Sequence, residues 1–209
     1  MAESLTDQLF SQLSGAPLQQ ISQQLGVGQA QAAGAVSAAL PLLLGALGRN
    51  ASQPQGAQAL FGALQTDFAG AGDLGGLLGA VLGGQQSRQT NGAGILGHVL
   101  GGQLPRAEAG LGQATGLGND KAGQLMKILA PIVLAFLAKR MFQDRGAGSG
   151  ADPSAQLLGS ILGQEQQQVR RQGGVGGGLL GAVLDQDGDG QFGLGDVLRI
   201  GGGLLGGKR

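Results

Sequence analysis

Leu40-Pro-Leu-Leu-Leu-Gly-Ala-Leu47 decides the fold, together with a similar stretch, Ala130-Pro-Ile-Val-Leu-Ala-Phe-Leu137, that follows ninety residues later. Both lie in longer segments whose apolar residues recur with the helical period, whereas the alternation typical of strands is nowhere sustained. A proline in a helix interior removes a backbone hydrogen bond and is expected to bend the helix. The sequence therefore predicts two long, buried, kinked helices, the first over residues 29–47.

The similarity between the two parts of the chain extends beyond these helices. A proline opens a shorter helix before each long one, at Pro17 and Pro105, and a Gly-X-Gly turn follows each at the ninety-residue spacing. Duplication is the economical explanation, and a chance alignment is the alternative because the identities are few. We expect an all-α protein whose body, residues 1–168, contains two duplicated three-helix units at about 17–68 and 105–164.

Short helices are predicted outside these units. Ser4 is expected to cap the first of them, because Asp7 follows three residues later. Two further helical pieces, at residues 73–82 and 93–100, are rich in glycine.

The stretch Asp185-Gln-Asp-Gly-Asp-Gly-Gln-Phe-Gly-Leu-Gly-Asp196 has the spacing of an EF-hand calcium loop. Carboxylates occupy loop positions 1, 3, 5 and 12, and Gly190 stands at position 6, where the chain must turn sharply. A hard cation needs about six to eight oxygen ligands, which such a loop brings together. The residues expected to bind Ca²⁺ are Asp185, Asp187, Asp189, Gln191 (through its main-chain carbonyl) and Asp196. A polar, glycine-rich surface turn without a ligand is the alternative.

The sequence Gly-Gly-Leu-Leu-Gly-Ala-Val-Leu occurs twice, at residues 75–82 and at residues 177–184, directly before the loop. Each interior glycine costs a helix up to about 1 kcal/mol relative to alanine, so such segments are expected to order only by close packing on a partner. A flexible tail is an equal alternative for residues 171–184 and 201–209. Residues 169–209 form the predicted C-terminal helix-loop-helix calcium module.

Composition narrows the functional classes. Thirteen basic side chains balance thirteen acidic ones, which gives no electrostatic reason to expect nucleic acid as a partner. The chain has no cysteine and one histidine, His98, which excludes thiol catalysis and the usual zinc and iron sites. With neither Tyr nor Trp in the chain, we expect a protein that is not an enzyme, with His98 as a packed or surface residue.

The N-terminus lacks the basic and unbroken apolar regions of a signal peptide, so a cytoplasmic location is expected. Residues 8–48 carry no charge, but Ser37 and Pro41 interrupt the apolar run, which falls short of the roughly twenty strongly apolar residues that a bilayer requires. The second run, residues 128–138, is shorter still. We interpret both as core helices, with a membrane-associated protein as the alternative.

Several segments resemble the bacterial YidB-like family, which is catalogued as a domain of unknown function. They are residues 25–28, 40–47, 94–98 and 129–132, and the resemblance covers roughly residues 1–165. It implies a small, all-helical, cytoplasmic bacterial protein and supplies neither an activity nor catalytic residues.

The C-terminal loop resembles single EF-hand or dockerin-like loops. Asp196 stands where many such loops have Glu, and its shorter side chain lets Mg²⁺ compete with Ca²⁺.

EF-hand loops usually act in pairs, and Phe192 stands where an apolar residue commonly packs against a partner loop. We therefore expect a calcium-binding interaction, scaffold or self-assembling protein whose partner is a second copy of the chain or another protein. Packing of Phe192 against the chain's own body is the competing expectation, and a membrane-active helical protein is the alternative function.

Overall fold

The computed structural model describes residues 4–68, 74–85, 87–142 and 154–172, and within these ranges it is helical and contains no strand. The predicted all-α fold is confirmed. The helices are α1 (Leu5–Leu13), α2 (Ala16–Leu25), α3 (Gln29–Ser52), α4 (Pro54–Ala63), α5 (Leu74–Leu82), α6 (Gly92–Leu100), α7 (Leu104–Thr115), α8 (Asn119–Phe142) and α9 (Ala155–Gln172). A π-helical turn, Leu64–Phe68, continues α4, and a 3-10 turn, Gly101–Gln103, precedes α7.

α1 begins where its sequence predicts. The Ser4 hydroxyl accepts a hydrogen bond from the Asp7 N–H at 3.0 Å and donates one to the Asp7 carboxylate at 2.6 Å. The first turn of the helix is thus capped. The apolar face is buried and consists of Leu5, Leu9 and Leu13.

The two long helices form the centre of the core. α3 and α8 each contain 24 residues, and Pro41 and Pro131 occupy the same position in each. Most residues from Ala35 to Gly48, and from Leu125 to Ala138, are buried, and the two helices pack against each other. Both helices run through their proline without a break, and the kink at each proline stays a prediction.

α3 is longer than predicted and ends at Ser52 instead of near Leu47. Gln53, the residue before Pro54, has an extended backbone with a ψ of 132°, the conformation that a following proline favours. Pro54 then begins α4 at a position where its missing N–H removes no helical hydrogen bond. The end of α3 is therefore set by Pro54, because the apolar pattern stops earlier than the helix does.

Two side-chain hydrogen bonds show how the two halves are arranged. Gly26 and Gly116 end α2 and α7 with left-handed backbones, at φ values of 60° and 67°. Gln31 Nε2 on α3 donates to the Gly116 carbonyl at 3.2 Å. Lys121 Nζ on α8, ninety residues after Gln31, donates to the Gly26 carbonyl at 3.2 Å. Each half thus supports a helix end of the other from equivalent positions, as in a two-fold arrangement.

The correspondence between the halves includes a fourth helix. A side chain caps α6 as Ser4 caps α1, because Asn91 Oδ1 accepts a hydrogen bond from the Gly94 N–H at 2.9 Å. The buried residues of α6 repeat the four-residue spacing of those in α1: Gly92, Leu96 and Leu100. α1–α4 therefore correspond to α6–α9, and α5 lies between them in the chain and packs on α8 and α2. The sequence boundaries predicted for the body and for its units stay predictions.

α9 runs antiparallel to α3 at close range. A methyl group added at Gly48 would lie 3.4 Å from the Leu162 carbonyl oxygen, and one added at Gly159 would lie 3.4 Å from the Ala51 carbonyl oxygen. The contact of α3 with α9 therefore moves from Leu162 back to Gly159 as α3 advances from Gly48 to Ala51, which shows that the two helices are antiparallel. Because both helices rise by the same amount per residue, this register continued to the end of α9 would place Gln172 level with about residue 38 of α3.

Candidate functional site

The predicted calcium loop lies outside the described residues, and so do all of its expected ligands: Asp185, Asp187, Asp189, Gln191 and Asp196. The structure does not test this site, and calcium binding stays a prediction. Among the residues that the structure does describe, no three His, Cys, Asp or Glu side chains form a group that could hold a metal ion.

A cleft of about 380 Å³ opens between α4, α6 and α8, and we call it the Asp67 cleft. Apolar side chains from all three helices line it: Leu60 and Ala63 of α4, Ile95 and Val99 of α6, and Leu134 of α8. Ligand sites in proteins are commonly concave, mostly apolar and of this order of size, with a small number of polar groups. The cleft is therefore a feature of the helical body suited to binding.

Polar side chains share the cleft with this apolar lining: Asn50, Asp67, Arg88, Asn91 and His98. Asn50 Nδ2 donates a hydrogen bond to the His98 carbonyl at 3.4 Å, which connects the end of α3 to α6. The Gln89 side chain donates a hydrogen bond to the main-chain carbonyl of Asp67, and this bond does not involve the Asp67 carboxylate. One acidic and one basic side chain, Asp67 and Arg88, thus line the same apolar cavity.

His98 is exposed, as the interpretation of it as a packed or surface residue allows. Its Nδ1 lies 3.1 Å from the Gly94 carbonyl oxygen, one turn earlier in α6. The sequence did not indicate that His98, Asp67 and Arg88 line one cavity. The three residues lie on α6, on the π-helical turn and on the loop before α6, so only the packing of these elements brings them together.

Two glycines determine where α4 and α6 lie. A methyl group at Gly56 would overlap the Asn50 carbonyl oxygen, and a methyl group at Gly92 would overlap the Lys127 carbonyl oxygen. Each helix therefore approaches its neighbour backbone to backbone, and no side chain fits between them. The Asp67 cleft lies between α8 and these two helices, whose positions are fixed in this way.

A buried carboxylate joins α9 to α1. Glu165 is 4% exposed and accepts hydrogen bonds from the Leu5 N–H at 2.9 Å, from the Thr6 N–H at 3.0 Å and from the Thr6 hydroxyl at 2.7 Å. The two N–H groups belong to the first turn of α1, which has no helical acceptors for them. Three donors satisfy the carboxylate, so its role is structural. Sequence reasoning missed it, because Glu165 stands in a glutamine-rich run far along the chain from α1.

Asp67 is the counterpart of Glu165 in the other half of the molecule. A spacing of 98 residues relates Leu64 to Leu162, both fully buried, and the same spacing relates Asp67 to Glu165. Glu165 packs against the start of α1, whereas Asp67 lines the open cleft beside α6, the counterpart of α1. The cleft is therefore a place where the two halves differ.

A second cavity, of about 810 Å³, lies between α2, α5 and α8. Val81 and Leu82 of α5 line it together with Gln24 of α2 and with Gln124 and Ile128 of α8. Because α5 packs on α2 and α8, we call this surface of the two helices the α5 seat.

The model of one family, DUF937, described as a bacterial protein of unknown function, matches residues 7–140, from α1 nearly to the end of α8. None of the curated proteins and none of the solved structures matches the chain. Because the family model covers more than half of the chain, the chain belongs to this family.

Proposed function

We propose that this member of the DUF937 family is a non-enzymatic, calcium-responsive interaction or scaffold protein. Its helical body presents the Asp67 cleft, and residues 185–196 bind Ca²⁺ in competition with Mg²⁺. The finer YidB-like assignment and the cytoplasmic location belong to the same proposal, because the family match is coarser than either.

The observation that carries this proposal is the spacing of four aspartates within residues 185–196. Carboxylates placed this closely repel one another when no cation is bound, and a divalent cation removes that repulsion. A loop of this kind responds to calcium by fixing the direction of the chain on either side of it.

The helical body supports a binding role. The lining of the Asp67 cleft is mainly apolar, and its acidic and basic side chains, Asp67 and Arg88, are available for orienting a ligand. The backbone contacts at Gly56 and Gly92 fix the helices around it, and a preformed site binds without the entropic cost of ordering its walls.

Calorimetric titration of the full chain with CaCl₂ tests the calcium site. We expect one Ca²⁺ per chain, with a dissociation constant of about 10⁻⁶ to 10⁻³ M, the range of the weaker EF-hands. Asp187→Ala removes a central ligand and should abolish the heat. Asp120→Ala, which removes an exposed carboxylate on α8, is the matched control and should leave it unchanged. Absence of calcium-dependent heat from the wild type at millimolar metal would overturn the proposal.

Self-association is the second part of the proposal, with a second copy of the chain as the expected partner. Light scattering after size exclusion should give a larger molar mass with calcium than with a chelator, and Asp187→Ala should give the chelator value in both buffers. A wild-type monomer in both buffers at micromolar concentration would contradict self-association and leave calcium binding untouched.

A membrane-associated protein is the alternative function, and one observation favours it. α3 is long and apolar enough to cross a bilayer, although 72% of its most apolar 18-residue window is buried inside the protein. That burial is what the core helix of a soluble fold requires, so we expect the protein to stay in the supernatant when vesicles are sedimented. If the protein instead sediments together with vesicles of neutral lipid, the result would favour the membrane-associated function.

A further inference from the structure

Residues 177–184 repeat residues 75–82 without a single change, and the structure shows what the first copy does. The first copy forms most of α5, which packs on α8 and α2. Each copy also follows the last helix of its half, because α5 comes after α4 with its π-helical turn, and residues 177–184 come after α9. An identical segment at an equivalent place in the chain calls for an equivalent surface.

We propose that residues 177–184 pack on α3 and α7 of the same chain, at the counterpart of the α5 seat. The ninety-residue spacing that relates α2 to α7 and α3 to α8 defines this surface. The counterparts of Gln24, Gln124 and Ile128 are Ala114 of α7 and Gly34 and Ala38 of α3. We call this surface the α3 face.

Most of the α3 face is accessible in the described part of the chain. Ala38 is buried, at 3% exposed, as its counterpart Ile128 is in the α5 seat, at 6% exposed. Gly34 and Ala114 are exposed, as are Ala30 and Ser37 beside them on α3. A methyl group added at Gly34 would have no neighbouring atom within 4 Å. The small side chains would let a glycine-rich helix approach the backbone of α3 closely.

The path of the chain leads to this face. The antiparallel register set by the Gly48 and Gly159 contacts, continued to the end of α9, would place Gln172 level with about residue 38 of α3. Gly34 and Ser37 lie fourteen residues before Gly48 and Ala51, which is close to four helical turns, so they share the side of α3 that α9 covers further along. A chain that leaves α9 at Gln172 therefore starts beside the α3 face and needs only residues 173–176 to reach Gly177.

The apolar residues of the segment fit the same role. In α5, Leu77 and Leu78 are 8% and 1% exposed, so they are the side chains that the body covers. Their counterparts are Leu179 and Leu180. Glycine-rich helices of this kind are marginal alone and gain order from close packing, which the α3 face would provide. This inference does not require the loop to bind calcium, so a negative calorimetric titration leaves it standing.

A pair of introduced cysteines tests the proposal in the full chain, which has no cysteine of its own. The test pair is Gly34→Cys with Val183→Cys, linked by a short bismaleimide at low protein concentration. The matched positive control is Gln124→Cys with Val81→Cys, the equivalent pair around α5, whose residues line one cavity. The negative control is Ser52→Cys with Val183→Cys, because the exposed Ser52 lies about 27 Å along α3 from Gly34.

We expect the test pair to form an intramolecular link, visible by peptide mapping, as readily as the positive control and faster than the negative control. Adding Leu179→Asp and Leu180→Asp should reduce the test pair to the level of the negative control, because an aspartate is disfavoured against an apolar surface. Leu179 and Leu180 lie outside the described residues, so these two substitutions change no side chain of the described helices. Linking no faster than in the negative control would overturn the proposal. A link between two chains would also overturn it, in favour of docking on a second copy.

Discussion

Glu165 and Asp67 occupy equivalent positions in the two halves of the molecule, and their surroundings differ. Glu165 is buried and accepts three hydrogen bonds from the first turn of α1. Asp67 is partly exposed and lines the cleft beside α6. The first turn of α6 is capped by the side chain of Asn91, the residue directly before the helix. One half thus uses the carboxylate to close a helix contact, and the other half leaves the same place open.

The difference between the two carboxylates distinguishes features that the fold requires in both halves from a position that is free to take another role. The features that recur in both halves are a capped short helix, a helix ended by a left-handed glycine and a long apolar helix. The carboxylate contact does not recur, so the fold does not depend on having it twice. A position released from a structural role is where a binding function can be placed without loss of the core.

The largest expected effect comes from the shared core. Leu47→Ala and Leu137→Ala remove equivalent side chains, 3% and 1% exposed, from α3 and α8. Each should lower the free energy of unfolding by about 2–5 kcal/mol, the usual cost of a leucine-sized cavity. Urea unfolding followed by circular dichroism measures both. Losses that differ by more than the scatter of such substitutions would show that the two long helices are not equivalent in the core.

A smaller effect should separate the two carboxylates. Glu165→Ala leaves two N–H groups of α1 without their acceptor and should cost about 1–3 kcal/mol. Asp67→Ala should cost less than about 0.5 kcal/mol, because the hydrogen bond that the structure gives Asp67 is to its main-chain carbonyl, which the substitution keeps. The same urea titrations apply, with Gln164→Ala at an exposed position of α9 as the control. Equal losses for the two carboxylates would show that Asp67 also has a structural role.

Local signals in the sequence were enough for most helix ends. Ser4 with Asp7, Pro17 and Gly26 act within one or two turns, and the structure has each of them in its predicted role. The end of α3 was mispredicted because the apolar pattern stops at Leu47, whereas the backbone continues until Pro54 stops it.

The relation between the halves was only partly visible in the sequence. α6 has little of the sequence of α1, and its place as the counterpart of α1 depends on burial and capping that only the folded chain shows. The Asp67 cleft was not predictable for a similar reason, because its lining comes from elements far apart in the chain. The calcium ligands could be proposed because a loop places them by local spacing alone, and they lie outside the described residues.

The smallest expected effect concerns the reciprocal contacts that relate the halves. Gln31 and Lys121 each donate to the carbonyl of a helix-ending glycine in the other half. Lys121→Gln would give both halves an amide donor, and Lys121→Ala would remove one contact. An exposed hydrogen bond of this kind contributes little, so we expect Lys121→Ala to cost about 0.5 kcal/mol, with Lys121→Gln falling between it and the wild type.

The stability lost in Lys121→Ala should depend only weakly on salt, because the acceptor of Lys121 is a main-chain carbonyl at the end of α2 and not a carboxylate. Thermal unfolding at low and high ionic strength, with Lys127→Ala as the exposed control on the same helix, measures this. A loss that appears only at low salt would mean that Lys121 acts through its charge. The equivalence with Gln31 would then be one of position alone, and the two-fold relation would rest on the glycine turns and the long helices.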